Sequence, residues 1–225
     1  MSSTRSPSGA HAYNTVLTRV DRFFDRELTL TSRLLILIGV VLLIPVYLVP
    51  MYQMTLVSNQ FPDGLELHIY ASKLEGGKTA NRDDLREINT LNHYIGMRPL
   101  LESDFSEFKW LPLAVGVFAL LALRALVIGK MSKLVDIVVL FVYFGLFSFW
   151  SFYQRLHDYG HNLDPTAAVK VKPFTPPLFG THQIANFTVT NMPEAGSYLM
   201  VAFALFLILA VWHSARHTPA EANTQ

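Results

Sequence analysis

The chain has 225 residues, of which 51% are hydrophobic and 16% charged, with a formal net charge of +1 and a mean hydropathy of +0.31. Such a chain fits a membrane protein better than one or two soluble domains, and its charge gives no sign of a nucleic-acid partner. It has no cysteine, which excludes disulfides, thiolate zinc sites, cysteine-ligated haem and iron–sulfur clusters, so any metal must use His, Met, Asp, Glu or carbonyl oxygen.

Residues 1–33 form a polar, arginine-bearing segment. Met1 to His11 is Ser-rich. From Tyr13 to Leu28, Val16, Leu17, Val20, Phe23 and Phe24 recur at helical spacing among charges, as in an amphipathic helix that lies on the membrane surface or packs beneath the spans. The first apolar run, LLILIGVVLLIPVYLVPMYQMTLV over residues 34–57, carries no charge and exceeds the about 20 residues that a helix needs to cross a bilayer core. Its leader is too long and its core too extended for a cleaved signal peptide, so it reads as a retained anchor.

Residues 58–110 form a first loop. QFPDG signals a turn, and in LELHIYA the apolar Leu65, Leu67 and Ile69 alternate with Glu66, His68 and Tyr70, as in a short strand. EGGK reads as a flexible turn. In TANRDDLREINTLNHYI, Leu85, Ile88, Leu91 and Ile95 fall at spacings of three and four, which predicts an amphipathic helix with Arg86, Asn89, His93 and Met97 broadly opposite the apolar stripe. Gly96 then serves as a left-handed terminator, with Pro99 beyond it.

Two spans follow at 111–129 and 134–153, joined by a short connection at 130–133. Arg124 lies near the end of one and can snorkel to the headgroups, and the aromatic FGLFSFWSFY of the other suits a headgroup boundary. Arg124 and Asp136 read as a charge pair across the connection. The second loop, 154–196, opens with HDYGHNLDP and continues into the proline-rich VKPFTPPLFG, an extended segment with little helix or strand signal. A last span at 197–213, bracketed by Tyr198 and Trp212, leads to a tail at 214–225.

Orientation follows from the flanks. Arg5, Arg19, Arg22, Arg26 and Arg33 precede the first span, Lys130 and Lys133 lie between the second and third, and Arg216 follows the fourth, so both termini are expected in the cytoplasm. The two longer loops then face outward, into the periplasm of a bacterial inner membrane. The expectation is an all-α membrane protein: four transmembrane helices with two ordered extracytoplasmic loops, the first carrying a short strand and an amphipathic helix.

His68, His93, His157, His161 and His182, of eight histidines in all, fall in those outward loops. In HDYGH, His157 and His161 are spaced i, i+4. If the third span extends a turn beyond the membrane, both imidazoles project on one side as a metal-chelating pair; if Gly160 breaks the helix, they bond loop carbonyls instead. In LNHYIGM, His93 and Met97 pair an imidazole, which suits copper in either oxidation state, with a thioether, which favours Cu(I). The plain alternative has His93 at the membrane interface and Met97 filling a gap. His213 and His217, also i, i+4, lie on the opposite side in a basic tail. There is no phosphate loop, no GxGxxG, no nucleophile elbow and no H-E-x-x-H, and no histidine lies well inside a span where a b-type haem needs axial ligands. An enzyme is therefore not expected.

Two blocks, LNHYIGM in the first loop and DYGHNLDP followed by PPLFG, HQ and NF in the second, resemble a family of small polytopic membrane proteins associated with nitrous oxide reductase accessory functions, found beside NosL-type copper chaperones. The resemblance covers most of both loops and the helices between them. It implies an accessory role in copper supply to, or maturation of, a periplasmic copper enzyme, with a periplasmic copper chaperone or copper enzyme, other membrane assembly subunits and the lipid bilayer as partners. It places weight on Asn92, His93, Gly96 and Met97 and on Asp158, Gly160, His161, Asn162, Asp164 and Pro165, whereas His157 is outside the shared pattern. The expected metal ligands are His93, Met97, His157 and His161, and the alternative is a metal-free scaffold of a membrane complex.

Overall fold

The computed structural model describes residues 17–79, 82–184 and 186–217. The Ser-rich leader, the beginning of the predicted amphipathic helix and the tail beyond residue 217 lie outside those residues; residues 17–24 of that helix are helical. Helix α1 spans Leu30–Leu43, α2 Asp84–Tyr94, α3 Glu107–Ile128, α4 Met131–His161 and α5 Ala195–His217. All but α2 are long and apolar enough to cross a membrane, α1 together with the 3₁₀ turn Pro45–Tyr47 that continues it. Leu113, Leu120, Val127, Tyr143 and Leu146 stay largely uncovered on α3 and α4, the kind of surface that lipid covers.

The fold is not all-α. Strands β1 (Tyr52–Val57), β2 (Leu65–Ile69), β3 (Leu74–Gly76), β4 (Lys78–Thr79), β5 (Arg82–Asp83), β6 (Gly180–Ile184) and β7 (Phe187–Pro193) build a five-stranded antiparallel sheet of order β3-β2-β1-β7-β6 and a separate β4-β5 hairpin. The first apolar run therefore does not continue as helix to residue 57. Pro45 has no N–H to donate and sits at the start of the 3₁₀ turn; after Pro50 the chain is extended. Along β1, Tyr52, Met54 and Leu56 turn to one face of the sheet and Gln53, Thr55 and Val57 to the other, a period of two hidden inside a continuously apolar run. The second loop likewise supplies strands where none was expected, because FTVTN alternates Val189 and Asn191, both buried, with threonines. The strand expected at LELHIYA is β2, while EGGK contributes to β3 and β4 rather than forming only a turn.

The chain divides into two compact units. One comprises Met1–Val41, Phe118–Phe141 and Ala204–Gln225. Within its described residues, the segment before α1 pairs with the α3–α4 turn: the Leu28 N–H donates to Gly129 O (2.6 Å) and the Met131 N–H to Arg26 O (2.9 Å). A polar knot joins α1 to the end of α5. The buried Ser32 hydroxyl donates to Ala210 O (2.9 Å), Ser214 Oγ donates to Ser32 Oγ (2.8 Å), and Thr29 Oγ1 lies 3.0 Å from His213 Nδ1. Arg26 donates to the Ala215 carbonyl, which an α5 terminus leaves without a helical partner. His213 is thus part of a helix junction rather than an exposed tail, and Asp136 pairs with Lys133 (3.6 Å) rather than with Arg124.

The other unit, Leu42–Val117 and Val142–Phe203, contains the sheet. Leu65, Leu67, Leu74 and Ile88 form its buried core, against which Met54, Leu56, Leu85, Leu91, Leu100, Phe105 and Phe108 pack. Helix α2 covers this face because its apolar stripe matches the inward residues of β2 and β3. Asp83 caps it, accepting from the Leu85 (3.1 Å) and Arg86 (3.4 Å) N–H groups, and Asp84 and Glu87 place negative charge in its first turn. Asp84 is 2% exposed, and its carboxylate holds the hairpin to the sheet, accepting from Arg82 Nε (2.6 Å) and from the Glu66 N–H (2.8 Å). Asp84→Ala leaves the half-buried Arg82 guanidinium with the Gly64 carbonyl (2.9 Å) but no carboxylate, and the Glu66 N–H without its acceptor, a class of change that costs about 3 kcal/mol. The expected loss is read from a urea titration of the detergent-solubilised protein followed by circular dichroism; an unchanged midpoint would show that the carboxylate is dispensable.

Candidate functional site

The end of α2 is closed by a left-handed glycine. Gly96 has φ +80°, its N–H donates to His93 O (3.2 Å) and the Met97 N–H donates to Asn92 O (2.8 Å), the paired bonds of a Schellman motif. This turn bends Met97 back toward the last helical turn, from which the exposed His93 projects.

Gly96 has a second constraint, which comes from the other loop. The Asp164 N–H donates to Gly96 O (2.8 Å), and a β-carbon on Gly96 would fall 2.8 Å from Asp164 O and 2.9 Å from Asp164 N. The Val169 N–H donates to Tyr94 O (2.9 Å), a further tie between the two segments. The LNHYIGM and HNLDP blocks are thus in backbone contact. They line one cleft of about 310 Å³, formed by His93, Gly96, Met97 and Arg98 on one side and Asn162, Leu163 and Asp164 on the other.

Asp164 is fixed within its own turn. Its Oδ1 accepts from the Thr166 N–H and hydroxyl, each at 2.7 Å. The Thr166 hydroxyl and N–H together hold its carboxyl below the usual range, with smaller contributions from Lys170 and His93. Lys170 donates to the Pro165 carbonyl across the same turn. Arg98 borders the cleft, but its guanidinium carbon sits 5.0 Å above the Tyr159 ring.

HDYGH lies in the last turns of α4, which continues through Gly160 to His161. Gly160 does not break the helix. A β-carbon there would fall 1.8 Å from Phe174 O, and the Phe174 N–H donates to Gly160 O (3.1 Å), so this glycine lets the proline-rich strap lie against α4. The strap is held from the sheet as well, by Tyr52 donating to Leu178 O (2.6 Å) and Asn191 Nδ2 donating to Pro177 O (2.6 Å). His157 and His161 share a helix face and stack, with centroids 3.8 Å apart and planes 8° from parallel. His161 Nδ1 bonds the His157 carbonyl at 3.0 Å, and His157 Nδ1 lies 3.9 Å from Asp158 Oδ1.

Of the four expected ligands, His93 and Met97 therefore share a cleft, and His157 and His161 form a stacked pair on α4. Asp164 and Asn162 complete the lining of the first cleft. Among the described residues, no group of three or more His, Asp or Glu side chains assembles in the manner of a metal site. Sequence reasoning did not anticipate the polar cluster that joins the start of α3 to α4, where Arg155 Nη2 donates to Glu107 Oε2 (3.0 Å) and Ser151 to Glu107 Oε1 (2.9 Å). Phe105 stacks on Tyr159 beside it (5.9 Å, 8°). Only the spacing of Ser151 and Arg155 along one helix face could have hinted at this. Comparison with protein-family models, with curated proteins and with solved structures finds no match.

Two outcomes follow. Gly96→Ala puts a β-carbon into the Asp164 backbone and a non-glycine residue into left-handed space, a strain of about 1–3 kcal/mol before any clash. It is expected to release residues 163–169, seen as faster amide exchange there and at residues 94–97 than in wild type. Asp164 has the sign of a depressed carboxylate: its contribution is complete above the unfolded value of about 3.9 and fades as pH falls through the lower folded value. An NMR titration of the Asp164 carboxyl should give a midpoint below 3.9, shifted upward in Thr166→Val.

Proposed function

We propose that this chain is a multi-pass inner-membrane accessory protein, not itself an enzyme, that supplies copper to, or supports maturation of, a periplasmic copper enzyme such as nitrous oxide reductase. The observation that carries this reading is the junction of the two sequence blocks at Gly96 and Asp164, where the Asp164 N–H meets Gly96 O at 2.8 Å. Two short motifs far apart in a chain are weak signals singly; their contact makes one surface of them, bearing an imidazole and a thioether. On the positive-inside reading, that surface faces the periplasm, with the four long apolar helices as its anchor. A cleft lined by the exposed His93, Arg98, Asn162 and Asp164 suits brief possession and release of a metal better than burial of a catalytic one.

A second reading, a metal-free scaffold of a membrane assembly complex, draws on the packing uses of the same blocks. Gly96 against Asp164 and Gly160 against Phe174 account for both glycines without any metal. Under that reading, partners would copurify equally well with the wild type and with His93→Ala.

Removal of the chain from its host is expected to lower the copper content of the periplasmic enzyme without lowering its polypeptide level, with recovery on re-expression of the wild type. Full copper loading in the deletion strain, measured by metal analysis of the purified enzyme, would end the proposal.

A further inference from the structure

The cleft at the end of α2 is lined by three residues whose side chains carry donors of different chemistry: the His93 imidazole, the Met97 thioether and the Asp164 carboxylate. Backbone contacts join the two segments that carry them. The Schellman turn places Met97, and the Asp164–Gly96 bond of 2.8 Å brings the second loop to it. Asp164 has both Thr166 bonds on Oδ1, which leaves Oδ2 for another partner. Of the cations near the cleft, the Arg98 guanidinium is drawn over the Tyr159 ring at 5.0 Å, and Lys170, which also acts on the Asp164 carboxylate, donates to the Pro165 carbonyl.

The stacked histidines of α4 offer a poorer site. A metal lies in the plane of the imidazole that binds it, and two rings 3.8 Å apart and 8° from parallel have no common in-plane point to share. His161 Nδ1 is also engaged by the His157 carbonyl.

We infer that the cleft binds a single copper ion through His93, Met97 and Asp164, and that the His157–His161 pair is not part of the site. The inference rests on the copper reading proposed above and specifies its ligands. The donor set is mixed in hardness: the imidazole serves both oxidation states, the thioether favours Cu(I), and the carboxylate favours Cu(II). Removal of Met97 or Asp164 therefore separates the two states, which a purely structural role for these residues would not do.

The test uses the full chain in detergent, with Cu(I) affinity from anaerobic competition against a chromophoric chelator and Cu(II) affinity from a fluorescence titration. Outer partners of metal ligands are typically worth about 10–100-fold in affinity, so loss of a direct ligand should cost at least as much. His93→Ala is expected to weaken both states by that amount. Met97→Leu, which nearly conserves volume, should weaken Cu(I) more than Cu(II), and Asp164→Asn the reverse. His157→Ala and His161→Ala should bind as the wild type does. X-ray absorption of the Cu(I) form should show a sulfur ligand that disappears in Met97→Leu. Loss of binding in His161→Ala with none in His93→Ala or Met97→Leu would overturn the ligand assignment and leave the copper reading standing. A wild-type chain that binds neither state more tightly than His93→Ala and His161→Ala together would overturn the site itself. Copper binding as described, combined with a fully loaded enzyme in the deletion strain, would instead remove the accessory role and keep the site.

Discussion

The pairing of β1 with β7 is the contact on which the rest of the sheet-bearing unit depends. Six residue pairs, from Tyr52 opposite Pro193 to Val57 opposite Thr188, join the strand that follows the first long helix to the strand that precedes the last. The chain between them is long, and closing so large a loop carries an entropy cost that grows only slowly with length. The return is a central strand with neighbours on both sides. Without β7, β1 would present an open edge, and the core of Leu65, Leu67, Leu74 and Ile88 would rest on a three-stranded remnant.

Once the sheet is closed, two other contacts become possible at low cost. The proline-rich strap has a bed, since Tyr52 of β1 and Asn191 of β7 both bond its carbonyls. Helix α2, seated on the sheet by Leu85, Ile88 and Leu91, has its C-terminus held where the turn after α4 can reach Gly96. Prolines suit the strap because their missing N–H groups need no partner, while their carbonyls remain free to accept. The candidate site is thus a product of backbone hydrogen bonds at a helix end, with the candidate side chains carried on a turn of defined shape.

Glycine has two distinct uses in this arrangement. Gly96 is required both by its positive φ and by the Asp164 backbone lying against it, so it terminates a helix and admits a neighbour at once. Gly160 lies inside helix α4 and is needed for close approach alone. Reading a glycine in HDYGH as a helix breaker follows its propensity; its actual use is set by the strap that crosses it.

The sequence by itself determined the elements whose signal is local. The four long apolar helices follow from run length, α2 from apolar residues at spacings of three and four, its stop from Gly96, and β2 from alternation. The same local signals marked His93 and Met97 as lying off the apolar stripe. What only the tertiary structure decided was the sheet, the partner of Gly96 and the stacking of His157 on His161. In β1 the alternation is concealed because both faces carry apolar or mildly polar residues, so that Val57 and Met54 look alike until β2 and β7 assign them opposite faces. Asp164 joined the cleft for a similar reason. A backbone N–H bond to a carbonyl in another loop leaves no mark on residue identity, whereas a helix period or a capping carboxylate is written in the residues themselves.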